Sequence, residues 1–152
     1  MSRKGALDRI DKILTQENGG TKMRKVYRGD PTDTGLSLGE GPFAAYWIGG
    51  EVTKDKTFGN VMVTHQITVA VYWAIPNNER QLAANELAIW EAMRDIQTAF
   101  RADSDLGGNT TDLEIDEAEV GTLPVGRGTA AEYRVLRFEL HLIDLEEEAI
   151  SA

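Results

Sequence analysis

Residues 61–75, VMVTHQITVAVYWAI, alternate with the two-residue period of an extended strand. Val63, His65, Ile67, Val69, Val71 and Trp73 fall on one face, and Thr64, Gln66, Thr68, Ala70 and Tyr72 on the other. A run this long, rich in β-branched and aromatic residues, predicts a central strand. The rest of the fold is organised around it.

Immediately upstream, FAAYWIGGEVT (43–53) is a second strand rich in aromatics. The connection KDKTFGN (54–60) is short and charged, so the two strands should pair as an antiparallel hairpin with an exposed tip. Downstream, Pro76-Asn77-Asn78 stops the strand and opens a helix running to about Ala102. Asn78 with Gln81 three residues on suits a helix-capping arrangement. Leu82, Ile89, Met93, Ile96 and Phe100 form its expected core stripe, widened by Leu87 and Trp90. A first helix is expected over about residues 3 to 17, with Leu7, Ile10 and Leu14 at helical spacing and Asn18-Gly19-Gly20 as its stop. TTDLEIDEAEV (110–120) predicts a strand, GTLPVGRGTA (121–130) a loop, and EYRVLRFELHLIDL (132–145) a closing strand. In that last strand Leu136, Phe138, Leu140 and Leu142 point one way, and Arg137, Glu139 and His141 the other.

The expected fold is α+β: a mainly antiparallel sheet of about four strands, two helices packed on one face, and long loops. One domain spans 1–152, with an irregular excursion at 18–42, inside which a short strand around Val26 is possible, and an acidic C-terminal tail at 144–152. The net charge of -9 argues against general nucleic-acid binding and against docking on anionic membranes. The absence of cysteine excludes disulfides, thiolate metal sites and cysteine nucleophiles. No apolar run approaches a membrane span, and the N-terminus lacks the apolar core of a signal peptide.

One stretch comes close to a calcium loop. In DSDLGGNTTDLE (103–114), Asp103, Asp105, Gly108 and Glu114 occupy the first, third, sixth and twelfth EF-hand places. Gly107 stands at the fifth, without a side-chain oxygen, and Gly121 and Pro124 follow where a second helix is required. The preferred reading is a helix stop at Gly107-Gly108 followed by an acidic strand, with a calcium-binding adaptor as the alternative. His65 and His141 each lie inside an alternating strand without local partners, so no catalytic or metal role is assigned to either. GEGPFAAYWIGG (39–50) lacks the G-K-[ST] of a phosphate loop. No catalytic residue and no cofactor is expected.

The remaining candidates are surfaces. Lys22, Arg24, Lys25 and Arg28 surround Tyr27 in a small basic cluster suited to an acidic partner surface. Lys54, Lys56 and Phe58 lie at the hairpin tip, where an aromatic anchor suits a pocket on a neighbouring subunit. Asp112, Glu114, Asp116, Glu117 and Glu119 form an acidic run, with Asp112, Glu114 and Asp116 expected on one solvent face of a strand.

Taken in order, ALDRIDKIL (6–14), PFAAYWIGGEV (42–52) with HQITVAVYW (65–73), NNERQLAANELAIWEAMRDIQTAF (77–100), and DLGGNTTDLEI (105–115) with YRVLRFELHLIDL (133–145) resemble bacteriophage tail terminator proteins. More broadly, they resemble the tail-completion and neck family. The resemblance covers nearly the whole chain as a pattern of elements. It implies a structural, non-enzymatic virion protein without a cofactor, made in the host cytoplasm and located at the head-proximal end of the tail. It also implies a homo-oligomeric ring, most often a hexamer, that caps the tail tube protein and meets the head-neck connector protein. DNA would pass through the lumen without specific binding, and the acidic run at 112–119 is the candidate lining. Another ring of the neck or head-tail connector is the alternative within this resemblance.

Overall fold

The computed structural model describes residues 2–31, 42–57, 60–125 and 131–147. In chain order its elements are α1 (Arg3–Gln16), β1 (Lys25–Arg28), β2 (Phe43–Thr57), β3 (Asn60–Ala74), α2 (Glu79–Arg101), β4 (Asp112–Ile115), β5 (Glu119–Val125) and β6 (Ala131–Glu147). The strand built from residues 61–75 is central. β3 pairs antiparallel with β2 on one side and with β6 on the other, over its whole length. Phe58 and Gly59, between β2 and β3, lie outside the described residues.

The sheet departs from the expected four mainly antiparallel strands. It has six, in the order β1-β2-β3-β6-β4 with β5 also paired to β6, and it is mixed because β1 runs parallel to β2. Two local causes explain the difference. β1 is only four residues, KVYR, too short to show a period inside a polar segment. β5 contains Gly121 and Pro124 and is followed in sequence by Gly126, which reads as loop. It lies at a sheet edge, however, where a residue without an N–H is tolerated. The stretch TTDLEIDEAEV is likewise not one strand. β4 ends at Ile115 opposite Leu140, and β5 begins at Glu119 opposite Arg137. The intervening residues 116–118 outnumber those facing them on β6 by one, the count of a β-bulge.

Both helices contribute to one core on one face of the sheet. Ala6, Ile10, Ile13 and Leu14 of α1 meet Ile89, Ala92, Ile96 and Phe100 of α2, together with Ile67, Val69, Val71 and Trp73 of β3 and Leu136, Phe138, Leu140 and Leu142 of β6. Phe100 meets Phe138 edge-on at 6.1 Å, an arrangement favoured by the ring quadrupoles. Each helix is capped by a side chain: the Ser2 hydroxyl accepts from the Gly5 N–H at 3.1 Å, and Asn78 Oδ1 accepts from the Gln81 N–H at 2.8 Å. Past α1, Gly19 has a φ of +77° and its α-carbon faces Asp95 of α2. A β-carbon there would lie 2.7 Å from that of Asp95, so only glycine lets the chain turn this close to α2.

The opposite face of the sheet is not uniform. At one end it carries a second buried cluster of Phe43, Ala45, Ala70, Tyr72, Tyr133 and Val135. Within it Tyr72 and Tyr133 are perpendicular at 6.4 Å. Toward the other end the same face turns polar, with Gln66 opposite His141 and Thr68 opposite Glu139. Among the described residues, no helix is long and apolar enough to cross a membrane.

Candidate functional site: two apolar surfaces and an acidic sheet face

Helix α2 is amphipathic along its whole length, yet only its second half finds a surface to bury against. No residue from Glu79 to Ala88 is buried. Leu82 and Leu87, expected in the core stripe, are 41% and 52% exposed, and Trp90 is 72% exposed. Leu82 is on the Ile89–Phe100 face but beyond the part of the helix that is covered, whereas Leu87 and Trp90 lie about 160° and about 100° round the helix from Ile89 and point away from the core. The protruding half is tied down by Arg134 of β6, whose guanidinium donates to both Glu86 oxygens at 2.8 and 3.1 Å.

A second apolar surface lies at the other end of the sheet. A groove of about 290 Å³ is lined by Leu7 of α1, Ile48 of β2, His65 and Ile67 of β3, and Leu142 of β6, with Arg3 and Glu51 also on its wall. Ile48 is 67% exposed. It precedes the register shift at Gly49 that bends β2 away from a regular ladder. Among the described residues, the buried Nε2 atom of His65 has no hydrogen-bond partner. Trp73, facing α2, and His65, in the groove, are separated along β3 by roughly 26 Å at about 3.3 Å per residue.

The basic cluster divides. Lys22, Arg24 and Lys25 are exposed, and the Lys25 ammonium lies 4.8 Å from the centre of the Tyr27 ring. Arg28 instead binds within the fold: Nη2 donates to Asp8 at 2.7 Å and Nε to Asp11 at 2.7 Å, fastening the edge strand β1 to α1. Those carboxylates raise the Arg28 pKa above its ordinary value, Asp8 most of all. Asp11 also accepts from the Tyr46 hydroxyl at 3.0 Å. Burial first, and then this carboxylate, push the Tyr46 phenol upward. At the hairpin tip Lys54 is exposed; the Lys56 side chain and Phe58 lie outside the described residues.

The calcium-like stretch is a turn leading into strand β4, where an EF-hand requires a helix. The Asp103 carboxylate accepts from Arg9 and from the Gly107 N–H at 3.0 Å. Leu106, Gly107 and Gly108 all have positive φ, which reverses the chain after α2.

The acidic residues are spread over one sheet face rather than along one strand. Asp112 and Glu114 are exposed on β4, with Glu114 directly opposite His141. Glu119 on β5 faces Arg137, whose guanidinium carbon lies 5.8 Å from the Trp47 ring centre. Asp116 belongs to the bulge, which aims its carboxylate at His141: Asp116 Oδ2 is 2.9 Å from His141 Nε2, and Glu139 Oε2 is 3.6 Å from the same nitrogen. Sequence reasoning left His141 without partners. Glu139 and His141 are two apart in a strand and therefore share a face, which was readable. Asp116 arrives through the bulge, which was not. Asp116, Glu117, Glu119, Arg137 and Glu139 also border a shallow cavity of about 450 Å³. A scan against protein-family models matches none, and a search of curated proteins gives no match.

Proposed function

We propose that this chain is a structural subunit of a ring, of the tail-terminator type, that caps a phage tail tube and joins it to the head-neck complex. The observation that carries the proposal is the pair of unlike apolar surfaces at opposite ends of the sheet. Helix α2 exposes Leu82, Leu87 and Trp90, and the groove presents Leu7, Ile48 and Leu142. A ring closed by head-to-tail contacts needs two different, complementary patches on each subunit. A solvent-facing tryptophan with Leu87 three residues before it on the helix is the kind of anchor that dominates such contacts. In this reading Trp90 of one subunit enters the groove of the next, with Glu91 approaching its Arg3. The acidic face at 112–119 then lines the lumen and repels passing phosphate. The resemblance of the element order to tail terminators favours this ring over others of the neck.

Light scattering with negative-stain imaging tests the reading. The expected result is a closed ring, most often of six, either in free solution or on isolated tail tubes, at the end that meets the head. A ring bound to the head connector but never to the tube would reassign the protein to another neck component. A chain that stays monomeric with tubes present would remove the ring reading.

A further inference from the structure

We infer that Asp116, Glu139 and His141 form a binding site for a divalent transition-metal cation of the zinc class, independent of the ring reading. One ligand atom from each residue converges so that all three lie within 4.8 Å of one another. The His141 nitrogen stands 2.9 Å from the Asp116 oxygen and 3.6 Å from the Glu139 oxygen. Two donors about 2.1 Å from one ion lie about 3.0 to 3.4 Å apart, at right-angle or tetrahedral geometry. The observed spacings therefore accept an ion with small side-chain adjustments. Two independent features of the backbone build the set. The strand period puts Glu139 and His141 on the same face of β6, and the bulge at residues 116–118 turns Asp116 onto that face. The Asp116 N–H donates to the Glu139 carbonyl at 3.0 Å, so the carrier of the third ligand is itself fixed to the strand bearing the other two.

The donor set selects the ion. One imidazole with two carboxylates suits zinc, manganese, cobalt or nickel, whereas calcium and magnesium prefer oxygen alone. Glu114, directly across from His141, adds negative charge beside the site. Solvent can complete the coordination, since Asp116 is exposed and the other two are half-buried. A bound ion would clamp the bulge to β6 and hold two segments of the edge strand in register.

Calorimetric titration of the purified chain with Zn2+, and separately with Ca2+, tests this. Saturable binding of one Zn2+ per chain is expected, accompanied by slower amide exchange at residues 116–118. His141→Ala and Asp116→Asn should each weaken Zn2+ binding by about tenfold or more, with the circular dichroism spectrum unchanged. Asp105→Asn, in the calcium-like turn, should leave it unaltered. Ca2+ should bind weakly and without regard to His141. Absence of saturable Zn2+ binding, or binding that survives both His141→Ala and Asp116→Asn, overturns the assignment. Tight Ca2+ binding lost in Asp105→Asn overturns it equally, in favour of the Asp103–Glu114 turn.

Discussion

Arg9 on α1 and Asp103 just past α2, 94 residues apart in sequence, form a charge-assisted hydrogen bond. The Arg9 guanidinium also reaches Glu17 at 2.6 Å, and the second Asp103 oxygen accepts from the Gly107 N–H. One side chain thus joins the end of the first helix to the turn that closes the second. Burial pushes the Asp103 carboxyl up, but the bonds from Arg9 and Gly107 outweigh it and hold the group below its ordinary value of 3.8. A carboxylate with a depressed folded-state pKa stabilises the protein above its unfolded value. It loses that contribution as pH falls through the folded one. Asp103→Asn is therefore expected to cost about 1 kcal/mol at neutral pH, and to cost less at an acid pH below the ordinary value of 3.8, where the depressed folded-state carboxyl begins to protonate. Urea unfolding at both pH values measures it. An equal difference at both would place the effect elsewhere.

Trp90→Ala separates assembly from folding. The side chain is mostly exposed, so the monomer should change stability by less than about 0.5 kcal/mol. Ring formation should fall sharply, as expected when an interface anchor is truncated. Normal rings from the variant would show that another surface makes the contact.

Phe100→Ala acts in the opposite sense. Phe100 is fully buried where α2 meets Phe138 of β6, and its truncation should destabilise the monomer by about 3–5 kcal/mol. Thermal unfolding reads this directly. A loss under about 1 kcal/mol would mean that the helix layer is far looser than its burial implies.

Glu114→Lys with Glu117→Lys tests the lumen while leaving Asp116, Glu139 and His141 in place. Rings should still form, and DNA ejection from assembled particles should slow, because the reversed charges gain phosphate contacts. If rings instead fail and are restored by Arg24→Glu with Lys25→Glu, the acidic face is a subunit contact rather than a lining.

Much of the architecture was legible because it follows from period. The alternation in 61–75 and 132–145 places the right residues on the core side of β3 and β6, and the helical spacing finds Ile89, Ile96 and Phe100. What the period leaves open, such as the short strand possible around Val26, or misses altogether depends on distant partners. KVYR becomes a strand only because Phe43 to Tyr46 lie alongside it. The segment with Pro124 becomes one only because β6 supplies its neighbour. Leu82 carries the helical apolar signal yet stays exposed because nothing among the described residues covers it, and Leu87 and Trp90 lie off the core face. Among the candidate site residues, Arg28 proved to be committed to α1, and His141 acquired ligand-like neighbours through a bulge that no local pattern announces.

The margins of the sheet restrict how copies of this chain can associate. β1 and β4 are four residues each, β4 carries outward carboxylates, and β5 is preceded by a bulge and contains a residue that cannot donate. Each is a poor template for a further strand. Copies are thereby steered away from merging their sheets into a continuous, irreversible fibre, even when crowded. In the ring proposed above, contact through side chains alone would leave each copy a separate folded body, free to detach and rejoin.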